Sequence, residues 1–254
     1  LKIKDDGLYI SDMDASHISF IYLELDQTDF NKYDVTFDDN ENCIGIGISL
    51  TELVKVIKSG IDLDNMILKY NKTNKLEIIF NGLGFTRKFK LPLINIECND
   101  LEIPSMDYMV ELEISYKIFK DIINSLAISE TETIIFSVDN HKLKIKADSV
   151  DSEAEINFEK KEMYKNKRKL KIKPKDSSIT SDIEKELIYK MHSCEDNFSI
   201  SFNFNRIKQF IKNSNLSDTI MCNLSSNLPI RFDHELNDRG SVIYYYLSPK
   251  IEDN

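Results

Sequence analysis

Ser49-Leu50-Thr51-Glu52-Leu53-Val54-Lys55-Val56-Ile57-Lys58-Ser59-Gly60, followed by the strand-like runs Met66 to Tyr70, Lys75 to Phe80 and Phe85 to Leu91, decides the fold class. Ser49 and Glu52 stand at capping-box spacing, and Gly60 closes the helix at its other end. At 100° per residue, Leu50, Leu53, Val54 and Ile57 fall on one face, the side expected to pack, while Lys55 and Lys58 lie together away from it. The polar turn Asn71-Lys72-Thr73-Asn74 joins the first two runs, and Asn81-Gly82 leads into the third, which makes an antiparallel meander.

The same plan recurs downstream. Thr133 to Val138, the Asp139-Asn140 turn and the alternating Leu143-Lys144-Ile145-Lys146 repeat the hairpin pattern. Phe119, Ile122, Ile123 and Leu126 form a second helical stripe with Lys117 and Lys120 opposite. A third stripe is Ile207, Phe210 and Ile211, with Lys208 and Lys212 opposite. Helices followed by strands, repeated, predict an α+β protein made of two similar units. Between them, Leu93 to Pro104 is polar and acidic, ends in proline, and reads as an extended connector. The expected domains are therefore 1–92 and 105–254, with the connector at 93–104.

Charge narrows the function. The 254-residue chain has 43 acidic and 33 basic residues, a net charge of −10, yet it sets paired lysines on three helices. One such helix would be an ordinary polar face. Three point to a local cationic surface that meets a polyanion such as nucleic acid. The composition, 41% hydrophobic, supplies ample core, and the apolar runs are strand-length, so no membrane span is indicated. Leu1 to Asp6 has no signal-peptide layout, and the expectation is a soluble intracellular protein.

Signatures of chemistry are missing from the sequence. Gly45 and Gly47 lie in the alternating Ile44-Gly45-Ile46-Gly47-Ile48, which reads as a strand and has neither P-loop nor dinucleotide spacing. The histidines have no nucleophile at motif spacing, and Cys43, Cys98, Cys194 and Cys222 show no paired spacing. His192 with Cys194 is one ligand pair without a second. Asp12 and Asp14 share a strand face, but two carboxylates without further ligands do not make a metal site. No catalytic residue, metal or cofactor is expected. Lys160 to Lys175 holds nine Lys or Arg against the single acid Glu162 and reads as a solvated loop.

Three ordered motifs resemble one family. Gly7-Leu8-Tyr9-Ile10-Ser11-Asp12-Met13-Asp14-Ala15-Ser16-His17-Ile18 is similar to the N-terminal strand motif of proliferating cell nuclear antigen, the eukaryotic-type DNA sliding clamp. Tyr245-Tyr246-Leu247-Ser248-Pro249-Lys250-Ile251-Glu252-Asp253 resembles its C-terminal signature, and Leu101-Glu102-Ile103-Pro104 the end of its connector. Leu216-Ser217-Asp218-Thr219-Ile220, followed by Asn227-Leu228-Pro229, fits its last helix-to-strand segment.

The resemblance implies two like-folded domains per subunit and three subunits in a closed ring, with helices lining the hole and sheets outside. It places Lys55, Lys58, Lys117, Lys120 and Lys212 toward duplex DNA; Lys208 follows from the helical pattern alone. It implies a pocket for partner peptides made by Met13, His17, Ile18, Phe20, Leu101, Ile103, Pro229, Tyr246, Ser248 and Pro249. The implied partners are double-stranded DNA bound without regard to sequence, a DNA polymerase and other clamp-binding proteins, a clamp loader, and further copies of the chain. Because unpaired strand edges invite continuation, the edge near Phe89 is expected to pair with a neighbour's edge near Ile156 and Phe158.

Departures from the family are also visible. The family's first strand and lysine-bearing helix precede the point where this sequence starts, which would leave a sheet face uncovered, so residues upstream are expected. The Lys160 to Lys175 segment is longer and more basic than the family's loop. Ser248 replaces a usual alanine. A divergent hetero-oligomeric or monomeric processivity factor is the nearest alternative, and an enzyme with a site assembled only in space is a further one. The expected location is the nucleus or a viral replication site.

Overall fold

The structure, a computed structural model, describes residues 1–38, 41–60, 65–82, 84–95, 105–140, 142–158, 188–191, 197–213 and 216–250. The chain divides into two compact units, Leu1–Ser11 with Glu24–Ile103, and Asp12–Leu23 with Pro104–Asn254. Residues 12–23, which the sequence places in the first domain, thus belong to the second unit.

In the first unit, the short strand Lys2–Ile3 lies antiparallel between Gly7–Met13 and Ile44–Gly45. Gly7 has no alternative, because a Cβ there would lie 2.2 Å from the Leu25 carbonyl oxygen. The expected meander is present as Asn65–Lys69, Lys75–Gly82 and Phe85–Pro92, paired in that order. Leu76, Ile78 and Phe80 alternate along its central strand and are buried with Ile46 and Leu91.

Helix α1, Leu50–Ile57, starts where expected, with the Ser49 hydroxyl accepting from the Glu52 N–H at 3.4 Å. Its packed face differs from the expected one. Leu53 and Val56 are buried, whereas Leu50, Val54 and Ile57 are 37%, 44% and 43% exposed. Five of its eight residues are apolar. An arc that wide has no centre that spacing alone can define, and the sheet takes the Leu53–Val56 side. Gly60 ends the helix by close approach: a Cβ there would meet the Phe80 ring at 2.9 Å.

The second unit holds two antiparallel sheets. One runs in the order Ile188–Met191, Val110–Ser115, Thr219–Leu224, Ile230–Glu235, Val242–Leu247 and then the hairpin strand Ser19–Asp26. The other runs Glu153–Phe158, Lys142–Asp148, Thr133–Asp139, Phe198–Asn203. Asn140, in the expected turn of the second sheet, takes a left-handed conformation (φ 47°), which asparagine tolerates better than most residues.

Helices α2, Tyr116–Leu126, and α3, Phe204–Asn213, turn their expected stripes inward: Phe119, Ile123 and Leu126 are buried and Ile122 half-buried on one, Ile207 and Ile211 are buried and Phe210 half-buried on the other, where Phe204, outside the expected stripe, is buried as well. The Tyr116 hydroxyl donates to the Ile211 carbonyl and fastens the two helices together. Phe232, fully buried, has ring centroids of Phe119 at 5.8 Å, Phe210 at 5.5 Å and Tyr245 at 6.4 Å. Phe210 also stacks on Tyr245 at 4.3 Å. This aromatic cluster seats both helices on the sheet.

Beside it lies His234, fully buried between the Tyr116 and Phe210 rings. Ser217 Oγ donates to the Thr219 carbonyl at 2.5 Å, so it accepts from His234 Nδ1–H at 2.8 Å, which leaves Nε2 as an unpartnered buried acceptor among the described residues. Burial lowers the imidazole pKa from 6.5 to about 4. A histidine pKa depressed by folding means that the unfolded chain takes up the proton first, so stability is full above pH 6.5 and falls as pH drops toward 4. By pH 5 the loss should be about 2 kcal/mol. Denaturant titrations at pH 7 and pH 5 on the wild type and His234→Phe check it: the variant should lose less stability on acidification by about that amount.

Candidate nucleic-acid and partner interfaces

Each of the three helices presents its two lysines differently. On α1, Lys55 Nζ is held by Glu52 Oε1 at 2.7 Å, while exposed Lys58 just beyond it makes no ion pair among the described residues. On α2, Lys120 Nζ sits 5.8 Å from the Tyr116 ring centroid, and exposed Lys117 makes no ion pair among the described residues. On α3, Lys208 lies 4.8 Å over Phe204, and Lys212 projects. Every helix therefore has one tethered and one untethered ammonium among the described residues. An i,i+3 pair or a ring of the same helix is a weak tether, worth about 0.3–1 kcal/mol, so all six remain available to an external anion.

The implied partner pocket gathers around the hairpin tip and the C-terminal segment, both in the second unit. Asp14 organises the tip. Its carboxylate accepts from Ser16 Oγ, from the backbone N–H of Ile18 at 2.8 Å and of Ser19 at 2.9 Å, and pairs with Arg206 of α3 at 2.8 Å. The Ser16 hydroxyl, the backbone donors and Arg206 hold its pKa down, to about 2. With its oxygens so engaged, Asp14 acts as a turn organiser, and among the described residues no group of three His, Cys, Asp or Glu is placed to hold a metal ion. The fold of this tip puts His17 in a left-handed conformation (φ 56°) with Nδ1 3.1 Å from Met13 Sδ.

Ile18, 39% exposed, receives the Ser248 N–H on its carbonyl at 2.9 Å, which sets Ser248 and Pro249 beside the tip. Lys250 continues the tether through its N–H to Ser201 O and its ammonium to Thr133 Oγ1, each at about 2.8 Å or less. Phe20 meets Tyr246 at 5.9 Å. Pro229 joins through Tyr108, whose hydroxyl donates to its carbonyl at 3.1 Å. Met13, His17, Ile18, Phe20, Pro229, Tyr246, Ser248 and Pro249 thus share a connected neighbourhood. Leu101 and Ile103, like Lys160 to Lys175 and His192 with Cys194, lie outside the described residues.

Sequence reasoning missed the group that links Pro229 to Tyr246. The Arg231 guanidinium pairs bidentately with Asp233, Nε to Oδ1 at 2.8 Å and Nη2 to Oδ2 at 2.9 Å, and lies 5.0 Å from the Tyr108 ring and 5.2 Å from Tyr244. Asn223 Nδ2 adds a 3.0 Å bond to Asp233. The available signal was alternation: in Ile230-Arg231-Phe232-Asp233-His234, an Arg and an Asp two apart face the same side.

The strand edges complete the geometry. Phe85–Pro92 pairs only with Lys75–Gly82, and Glu153–Phe158 only with Lys142–Asp148, so each is a sheet edge among the described residues. Phe158 is buried, Ile156 packs on the same core, and Phe89 makes an edge-on contact with Phe80 in the first unit. What these edges leave open is their backbone. Their charges are opposite: Arg87, Lys88 and Lys90 on one, Glu153 and Glu155 on the other.

Comparison with known proteins identifies the family. Residues 1–104 match the family model of the proliferating cell nuclear antigen N-terminal domain, and residues 102–250 match that of its C-terminal domain. Among curated proteins, one named DNA polymerase sliding clamp from Thermococcus fumicolans is 25% identical over 252 residues, covering 99% of this chain and 88% of its own length. A protein of the same name from Pyrococcus furiosus is 23% identical with the same coverage. With both domain models matched in order and nearly the whole chain covered, the protein belongs to the proliferating cell nuclear antigen family.

Proposed function

We propose that this chain is a DNA polymerase sliding clamp, a non-enzymatic processivity factor that encircles duplex DNA and tethers its polymerase. The observation that carries this reading is the lysine pair on each helix, repeated in both halves of a chain that matches the two clamp domains end to end. Such cations contact phosphates without reading bases, which suits a protein that must move along any sequence. Ring closure by three copies is supported by the two oppositely charged edges, since like edges repel and unlike edges attract, which favours head-to-tail contact. The neighbourhood of Ile18, Tyr246 and Pro249 is the docking site for short peptides of the polymerase and other clamp-binding proteins. A clamp loader opens the ring, and the protein resides where its genome is replicated, in a nucleus or a viral replication site.

The test uses the untethered cations. Lys58→Glu, Lys117→Glu and Lys212→Glu together should leave the fold intact and sharply reduce polymerase stimulation on loader-treated circular DNA. The log-log salt slope of DNA association should fall by roughly 0.9 for each phosphate contact removed. A folded triple variant with unchanged DNA association and stimulation would overturn the assignment of these helices to DNA.

A further inference from the structure

The Arg231 site departs from what a purely apolar peptide pocket requires. Its guanidinium has five N–H donors. Two go to Asp233. The side chain is 25% exposed, sandwiched between the Tyr108 and Tyr244 rings, and its position is fixed by the bidentate pair. The remaining donors have no protein acceptor among the described residues, so water satisfies them in the free protein. A peptide side chain that covers this point with hydrocarbon strands those donors, whereas one that brings an oxygen replaces the water.

Charge decides which oxygen. Asp233 already neutralises the guanidinium and sets a negative group beside it. A second carboxylate would meet that field without a free cation to receive it. A neutral acceptor, such as a tyrosine phenol or a side-chain amide, meets no such repulsion.

We propose that Arg231 is a specificity-determining residue of the peptide site, selecting partners that place a neutral oxygen acceptor between Tyr108 and Tyr244 and rejecting those with a purely hydrocarbon or a carboxylate side chain there. This rests on the reading of the Ile18–Tyr246 neighbourhood as the peptide pocket. Sites built to hydrogen-bond an oxygen discriminate strongly against analogues that lack it, because the buried donor is then left unpaired.

The probe is a set of synthetic peptides selected on the full chain from a random display library and counter-selected on Ile18→Asp, so that the surviving pool reports the pocket. The strongest binder is remade with Tyr, Phe or Glu at its acceptor position, and the affinities are measured by calorimetry on the wild type and on Arg231→Met/Asp233→Asn. The double change keeps the pair neutral and avoids an orphaned carboxylate; a thermal melt checks its fold. The wild type should bind the Tyr peptide about tenfold more tightly than the Phe peptide and prefer Tyr over Glu. The double variant should still bind, with a Tyr-to-Phe ratio near one, a change that loss of mere structural support would not produce. Equal wild-type affinities, or a ratio that persists in the folded double variant, would overturn the role of Arg231 while the pocket stands. An empty pool after counter-selection would overturn the pocket reading, and this inference with it.

Discussion

Phe232→Ala is expected to destabilise the second unit by about 3–5 kcal/mol, the range for deleting a fully buried aromatic ring. The ring is inaccessible to solvent and stands between Phe119 of α2, Phe210 of α3 and Tyr245 of the sheet. Removing it leaves a cavity that three other rings cannot collapse to fill without leaving their own contacts. In a unit of this size the loss should lower the melting temperature by about 10 °C or more. Calorimetric melts of the wild type and variant decide it. A shift of a degree or two would mean that the helices are seated by other contacts.

Glu153→Lys with Glu155→Lys is expected to convert a ring into single chains. Both residues are exposed, so the fold should survive, although their bonds to Lys146 and Lys144 are lost. The strand would then carry the same sign as Arg87, Lys88 and Lys90 on the edge proposed to receive it. Like charges at a strand pairing are destabilising. Light scattering should report three times 29.5 kDa for the wild type and 29.5 kDa for the variant. Restoring assembly by adding Lys88→Glu and Lys90→Glu to the same chain would tie the effect to these edges. A wild type that stays monomeric at micromolar concentration would remove the basis for the ring.

The elements legible in the sequence were those where one periodicity dominates. The meander from Asn65 to Pro92 and the hairpin from Thr133 to Asp148 follow strict alternation with polar turns, and both stand in the fold. Helix α3 has a narrow apolar stripe, which fixes its buried face, and on α2 the stripe centred on Phe119, Ile123 and Leu126 is the buried one although Ile118 at its margin stays 43% exposed. On α1 the apolar arc is broad, and the position of a neighbouring sheet, a long-range fact, chose Leu53 and Val56. The passage of residues 12–23 into the second unit was hidden for a related reason: a strand's own residues say how it pleats, not which neighbours it joins. At the proposed peptide site, the family motifs marked Met13, Ile18 and Tyr246. Arg231 and Asp233 look like ordinary exposed alternation until Tyr108 and Tyr244 close over them.

The tethered lysines bear on how such a ring would travel. Lys55, Lys120 and Lys208 each have a resting place on their own helix, on Glu52, the Tyr116 ring and the Phe204 ring. A cation that leaves one phosphate would have a second resting contact worth about 0.3–1 kcal/mol beside it. On the proposed reading, the energy wells along the duplex would be made shallower by that exchange, and their spacing blurred by the untethered partner on the same helix. In mechanical terms, on the proposed reading, the helices would work as a low-friction bearing, with half the cations gripping while the other half idle, and drag per base pair would be set by Glu52, Tyr116 and Phe204 as much as by the lysines themselves.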